Sequence, residues 1–330
     1  MTDDCKYGVV AVGNAIVDVL SHTDEAFLEA EGIPKGAMNL IDQSRARDLY
    51  KKMGSSVEVS GGSAANTLAG FGSFGGKGAF IGKVSEDKLG EIFTHDIRAQ
   101  GIEFNTPPLK HGLGTAVCYI MVTDDAERSM NTFLGASTEF SEEDVDAETI
   151  GAGQIVYLEG YLFDKEAAKK AFRRASYFAH AKGRKVALTL SDVFCVERHR
   201  KEFMDLVSKD IDILFANQHE LCALFETDDL DEAMDTVQPF CDIIAVTKGS
   251  KGCTIISGKD RYDIEAVWVD NLVDTTGAGD QFAAGFLYGL TEGKPLDECA
   301  KLGCRAAAEV ITHMGPRPQK PYKDLLKEVA

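Results

Sequence analysis

Asp274-Thr275-Thr276-Gly277-Ala278-Gly279-Asp280 stands immediately before a helical run, Gln281–Leu290. Gly277, Ala278 and Gly279 are small enough to let backbone N–H groups converge with no side chain in the way. The first turn of the following helix adds free donors and the positive end of its dipole. Such a cradle suits phosphate oxygens. A carboxylate beside it would repel an anion if it were merely structural. As a general base, Asp280 would take the proton of a hydroxyl while the cradle holds the phosphoryl group that hydroxyl attacks. The plainer alternative is a Gly-rich turn with Asp280 stabilising the helix start.

Four further segments carry groups of the same kind. Ser60-Gly61-Gly62-Ser63-Ala64-Ala65-Asn66 opens another helix, and Asn66 can offer donor and acceptor to hydroxyls; a turn with an N-cap accounts for it equally. Gly13–Asp18 follows the first strand, so Asn14 and Asp18 fall where a parallel sheet delivers ligand-binding side chains. Asn217-Gln218-His219-Glu220 follows a later strand; Glu220 could hold Mg²⁺ through water, or the segment is a helix start with an acidic first turn. Thr247-Lys248-Gly249-Ser250-Lys251-Gly252 could wrap a nucleotide or form an ordinary hairpin turn. Each of these segments closes a strand or opens a helix, so the topology would gather them in one crevice. Gly70-Phe71-Gly72-Ser73-Phe74-Gly75 fits G-x-G-x-x-G but lies late in a helix, where helix packing explains it better than a dinucleotide.

The elements that must position these groups alternate between short apolar runs and longer amphipathic stretches. Strands are expected at Tyr7–Val12, Gly78–Ile81, Gln154–Glu159, Lys185–Thr189, Ile211–Ala216 and Asp242–Thr247. Helices are expected at Ser63–Phe74, Asp87–Gln100, Lys165–Ala181 and Asp192–Val207. This alternation predicts an α/β fold with a parallel sheet covered on both faces. Residues of roughly 15–60, and Thr115–Leu134 with its turn Thr123–Ala126, lack crossover helices. They are expected to form a small antiparallel layer projecting from the main domain as a lid.

Composition narrows the partners. The 330 residues are 44% hydrophobic and 27% charged, which excludes a disordered chain, and the formal charge of −18 disfavours nucleic acid and membrane surfaces. No apolar run reaches the roughly 20 residues needed to span a bilayer. The start, Met1-Thr2-Asp3-Asp4, lacks signal-peptide character, so a cytoplasmic location is expected. The eight cysteines form no C-x-x-C and read as reduced core thiols.

On the Gly61-Gly62 segment and Asp274–Asp280, in this order and separation, the chain resembles the ribokinase-like carbohydrate kinase (PfkB) family along nearly its whole length. Asn14 with Asp18, Gly61-Gly62-Ser63 with Asn66, Thr189-Leu190-Ser191 with Phe194, and Arg128 within Glu127–Asn131 look most like the adenosine kinases of that family. The resemblance implies a ribokinase-like three-layer α/β/α domain over 1–330, with a mostly parallel sheet and a discontinuous β lid from parts of about 15–60 and 105–135. It also implies ATP- and Mg²⁺-dependent phosphorylation of a primary hydroxyl, the 5′-OH of adenosine, by a monomer or homodimer.

Residue by residue, it makes Asp280 the base and Gly277, Ala278 and Gly279 the anion hole. Asn14, Asp18, Gly61, Gly62, Ser63 and Asn66 would hold the acceptor. Arg128 would swing in with the lid toward the γ-phosphate. Asn217 and Glu220 would organise Mg²⁺ and its waters, and Thr247, Lys248, Gly249 and Gly252 would line the ATP site. Asp274, Thr276 and Gly315 resemble the family's monovalent-cation (K⁺) loop. Phe194, Leu40, Phe133 and Phe163 are candidates to clamp a base, each equally able to be core. Gln281 departs from the small residue or Thr that many relatives carry. A sugar kinase of the same family, acting on ribose, fructose or a related sugar, has the same machinery; a non-catalytic nucleoside- or sugar-binding protein would not need Asp280.

Overall fold

The structure is a computed structural model that describes residues 5–125 and 127–328. Met1–Asp4, and Ala126 of the expected hairpin turn, lie outside the described residues. After β1 (Tyr7–Val12) the chain leaves the main body through β2 (Ile16–His22), α1 (Glu25–Glu31), β3 (Met38–Leu40), α2 (Gln43–Lys52) and β4 (Ser56–Gly61). It returns as α3 (Ser63–Phe74), β5 (Gly78–Ile81), α4 (Lys88–Ala99) and β6 (Glu103–Phe104). A second excursion forms β7 (Ala116–Val122) and β8 (Arg128–Phe133). The remainder stays in the main body: α5 (Ala147–Gly151), β9 (Gly153–Glu159), α6 (Glu166–Ala181), β10 (Lys185–Thr189), α7 (Val193–Asp210), β11 (Ile213–Asn217), α8 (Gln218–Phe225) and α9 (Leu230–Val237). Then follow β12 (Ile243–Thr247), β13 (Cys253–Ser257), β14 (Asp260–Ile264), α10 (Ala278–Thr291) and α11 (Leu296–Val310).

Nine strands form the main sheet in the order β14-β13-β12-β11-β10-β9-β1-β5-β6. Pairing is parallel from β6 through to β12. The hairpin β13–β14 closes one edge in antiparallel pairing, an addition no periodicity announced. Successive side chains alternate between two cores because the strand period is two residues. Val9, Ala11, Tyr157, Ala187 and Phe215 pack with the face covered by α3, α4, α10 and α11. Val10, Val12, Val156, Leu158 and Leu188 pack with α6–α9 on the other. The result is the three-layer α/β/α fold. The strand order reverses between β1 and β9, and at such a reversal the helices diverge and leave a crevice at the carboxyl ends of the strands.

The two excursions pair with each other in a second sheet, order β3-β8-β7-β2-β4. This sheet is mixed, not antiparallel as expected: β2 runs parallel to β7 and β3 parallel to β8. Only β2–β4 and β7–β8 are antiparallel. The reason is that the partners come from separate excursions, so no hairpin dictates their direction. Val17, Val19, Val117, Tyr119 and Met121 join the large core together with Leu28 of α1 and Leu49 of α2. The opposite face, including Ile16, Asp18, Cys118, Met130 and Thr132, lines the crevice of the main body.

All eight cysteines are free, six of them buried. No helix among the described residues is long and apolar enough to cross a membrane. The G-x-G-x-x-G run lies in α3 and at its C-cap, as expected. A Cβ on Gly70 would run into Gln281 and Ala284 of α10, so that glycine serves helix packing.

Candidate active site

The crevice is a cavity of about 630 Å³ bounded by the carboxyl ends of β1, β9, β10, β11 and β12, the start of α10 and the inner face of the second sheet. Asn14, Asp18, Gly62, Ser63, Phe194, Asn217, Glu220, Thr247, Thr276, Gly277, Ala278, Gly279 and Asp280 all line it. These residues span the chain from 14 to 280, and the parallel sheet is what gathers them.

Asp280 occupies the first turn of α10, whose N-cap Gly277 adopts φ 80°. A Cβ there would press on Pro316 at 2.7 Å, so both backbone conformation and space demand glycine. Gly279 differs: beyond its own turn of helix, a Cβ on it would meet nothing within 4 Å. Ser63 Oγ donates to Asp280 Oδ1 at 2.6 Å, and Asn66 Nδ2 lies 3.4 Å from Oδ2. Asp280 remains partly open to the cavity but is walled by protein elsewhere. That desolvation pushes its carboxyl up to about 6, against the pull of Ser63, Asn66 and Arg317. Both expected motifs, one opening α3 and one opening α10, thus meet at one carboxylate.

At the sheet reversal, Glu159 ends β9 and is buried, 1% exposed. It accepts from Asn14 Nδ2 at 2.7 Å and from the Ala64 N–H at 2.8 Å, tying β1 to the start of α3. Glu159 escapes sequence reading because it resembles any acidic residue after a strand. Gly62 takes φ 93°, and a Cβ on it would run into the Asn14 carbonyl, so the backbone of the α3 entry can lie close against β1. Gly61 lies behind Asp18, whose carboxylate occupies the place of a Cβ. Burial pushes the carboxyls of Asp18, Glu159 and Glu220 up to about 7.

Four carboxyls of one cavity therefore bind protons in the fold at pH values where the unfolded chain, with values of about 4, has lost them. The folded state holds more protons than the unfolded state between about pH 4.5 and 7, so stability falls as pH rises through that window. The free protein is expected to melt on the order of 5 °C higher at pH 5.5 than at pH 8. A Tm that rises or stays level over this interval would contradict the picture.

Asn217 caps α8 and Glu220 answers it. Asn217 N and Nδ2 donate to the two Glu220 oxygens at 2.9 and 2.6 Å, while Asn217 Oδ1 accepts from the His219 and Glu220 amides. A carboxylate offers about four lone-pair sites, so Glu220 keeps acceptor capacity on the cavity side. No group of three or more His, Cys, Asp or Glu that could hold a metal occurs among the described residues. A divalent ion here would keep mostly water and phosphate oxygens as ligands, which is the habit of Mg²⁺.

Several expected site residues stand back from the cavity. Thr247 reaches it, but Lys248, Gly249 and Gly252 form the β12–β13 turn, with Lys248 paired to Asp263 at 3.0 Å. Arg128 lies on Asp274 (2.7 Å) and Thr276 Oγ1 (3.2 Å), joining β8 of the second sheet to the loop that enters α10. A role at a phosphate would require it to leave Asp274. Asp274 Oδ1 accepts from Thr276 N and Oγ1, and Oδ2 from Gly315 N as well as Arg128. Its lone pairs are used by protein donors, and a guanidinium supplies the positive charge. The expected cation residues are assembled, but the Asp274 carboxylate is occupied by these four donors.

Of the aromatic candidates, Phe163 and Phe133 are core residues, 1% and 8% exposed and absent from the cavity wall. Phe163 stacks among Phe172 and Phe203 instead. Leu40 and Phe194 do line the cavity and are exposed. Tyr161, just past β9, lines it too and was not foreseen.

Comparison with known proteins agrees with this geometry. The family model described as pfkB family carbohydrate kinase matches residues 36–322. The chain is 50% identical to the adenosine kinase of Sinorhizobium meliloti, covering 99% of this chain and 100% of that one, with a TM-score of 0.91. It is 48% identical to a "probable sugar kinase protein" from Rhizobium etli, covering 98% of each, again with a TM-score of 0.91. The adenosine kinase of Saccharomyces cerevisiae is 24% identical over 93% of this chain and 96% of its own length. A family model matched over residues 36–322, together with a half-identical relative aligned over its full length, places the chain in the pfkB family of carbohydrate kinases, phosphotransferases that use ATP, typically with Mg²⁺, and an alcohol acceptor.

Proposed function

We propose that this enzyme transfers the γ-phosphoryl group of ATP to the 5′-hydroxyl of adenosine. The observation that carries the reading is the mixed wall of the cavity that holds Asp280. Asn14, Asp18, Gly62 and Ser63 supply polar groups suited to a ribose, and Ile16, Met38, Leu40, Met130, Leu134 and Tyr161 add apolar and aromatic wall to the same cavity. A flat base would cover that apolar wall, while a free sugar would leave it wet and place hydroxyls where they find no partner. The likeness to the S. meliloti adenosine kinase over its full length supports the same acceptor.

In this reading Asp280, oriented by Ser63 and Asn66, takes the proton of the 5′-hydroxyl as that oxygen attacks phosphorus. The amides of Gly277, Ala278 and Gly279 receive the charge that gathers on the transferring group. Asn217 and Glu220 would hold the waters of a magnesium ion, which when bound neutralises charge on the nucleotide's phosphates. Thr247 lies on the nucleotide side. The second sheet acts as a lid that excludes water from the acceptor. Arg128, latched to Asp274, ties that lid to the loop feeding α10, so lid position and cradle geometry are set together.

The reading is tested by ADP release with ATP and Mg²⁺ against adenosine, guanosine, inosine, ribose and fructose. Adenosine is expected to exceed ribose in kcat/KM by about 10²-fold or more, since the base contributes most of the buried surface. Turnover with a free sugar alone would keep Asp280 and the cradle but discard the base slot. Turnover with none would return the binding-protein alternative. For the accepted substrate, kcat/KM should rise with pH through about 6, as Asp280 loses its proton. Asp18, Glu159 and Glu220 titrate close by, so the apparent value belongs to the cluster.

A further inference from the structure

Arg317 belongs to none of the motifs that mark the site, yet it hydrogen-bonds to two elements that build it, β4 and α3. It follows α11 on the segment Gly315-Pro316-Arg317. Its Nε donates to Asn66 Oδ1 at 3.0 Å, and one terminal nitrogen donates to Ser60 Oγ at the end of β4. The other terminal nitrogen is buried and has no partner among the described residues. Asp18 on β2, Asp96 on α4 and Asp280 on α10 are the carboxylates that act on its charge. A buried donor left unmatched is disfavoured, and native structures retain few of them, so this one calls for an explanation.

The Asn66 amide could present either its oxygen or its NH₂ to Asp280. A guanidinium has donors only, so Arg317 Nε commits the Asn66 oxygen and turns Nδ2 toward the Asp280 carboxylate. Gln281 holds this arrangement from behind: fully buried, it donates through Nε2 to the carbonyls of Asn66 (3.0 Å) and Pro316 (2.8 Å). The departure at position 281 is thus the strut that fixes the backbone delivering Arg317 to α3.

We propose that Arg317 is a positioning residue for the acceptor: by holding the Asn66 oxygen it turns the Asn66 amide onto Asp280 and so orients that carboxylate toward the acceptor. The inference rests on the acceptor-site reading above, but not on which acceptor is used. Steady-state kinetics would be run on Arg317→Gln and Arg317→Lys with whichever acceptor the wild-type enzyme phosphorylates. For Arg317→Gln we expect KM for the acceptor to rise about tenfold or more, kcat to fall by about tenfold to a hundredfold, and KM for ATP to stay within about twofold. Arg317→Lys keeps the charge but loses the fork and should fall between, with acceptor KM about threefold or more above wild type. A uniform loss of kcat with both KM values unchanged would signal only a smaller folded fraction and would overturn the proposal, as would wild-type constants in both variants. If the Gln variant does not fold, the Lys variant decides by the same acceptor KM.

A second readout needs no acceptor. In ¹⁵N-asparagine-labelled protein, the Asn66 side-chain NH₂ pair, identified by its absence in Asn66→Ser, should move in the Arg317 variants. An unmoved pair overturns the proposal. If the wild-type enzyme phosphorylates no tested acceptor, the acceptor reading fails while this signal still decides the role of Arg317.

Discussion

Asp280→Asn is expected to lower kcat by about 10²–10⁴ while leaving the protein folded and at least as stable as the parent. The substitution is nearly isosteric: the new carbonyl oxygen can keep the Asn66 amide's hydrogen bond, and the new NH₂ can donate to the Ser63 hydroxyl, which accepts as well as donates. What disappears is the carboxylate that Ser63 and Asn66 hold and that can accept a proton. Stability should move the other way. The Asp280 carboxyl is held at about 6 by burial, so at pH 8 the native protein maintains a charge in a place that disfavours it. A neutral amide removes that penalty, and the gain should fall by about half at pH 5, because the unfolded carboxyl stays ionised down to about pH 4. Initial rates and melting curves at the two pH values check both halves. Turnover within about tenfold of wild type in a folded variant would remove Asp280 from the reaction.

Gly279→Ala should cut kcat/KM by on the order of 10²-fold with no loss of stability, a result that separates ligand approach from folding. Gly279 sits inside the first turn of α10, where alanine is favoured over glycine by about 1 kcal/mol in a helix interior. Beyond its own turn of helix, nothing lies within 4 Å of the added methyl group, so the fold has nothing to rearrange. The space it enters is the cavity itself, where a phosphoryl oxygen would have to approach the backbone amides. Gly277→Ala is the contrasting control: there a positive φ and Pro316 at 2.7 Å make the change a folding defect. Melting temperature and kcat/KM measured on both variants test the distinction. Full activity in Gly279→Ala would mean that the ligand does not approach this turn.

Both predictions describe a site that is costly to the fold that carries it. Asp18, Glu159, Glu220 and Asp280 crowd acidic groups around one cavity in a chain already at −18, and the Arg317 guanidinium offsets the charge of two of them, Asp18 and Asp280. Such a cluster disfavours the free protein at neutral pH but is poised for a ligand that arrives with hydroxyls and a cation-bound nucleotide.

The strand–helix alternation was legible because each element advertises itself locally, by a period of two or of 3.6 residues and by the glycine that ends it. Tyr7–Val12, Gly78–Ile81, Lys185–Thr189 and Ser63–Phe74 occur within the limits expected from that pattern. The turn Gly277–Gly279 with Asp280 at the start of α10 was legible for the same reason: its residues are consecutive. The direction of pairing in the second sheet was not, because β2 and β7 meet only after the chain has passed twice through the main body. Phe133, Phe163 and Phe194 are alike as letters; burial in the assembled core distinguishes the first two from the third.

Glu159 reaches Asn14 across 145 residues, Arg317 reaches Asn66 across 251, and Arg128 meets Asp274 rather than open space. None of these contacts has a local period, and each arises from which strand ends the topology sets side by side. The sequence by itself therefore determined the elements and the short motifs that line the cavity. The tertiary structure decided which distant charges hold those motifs in place, because hydrogen bonding depends on position in space and not on separation along the chain.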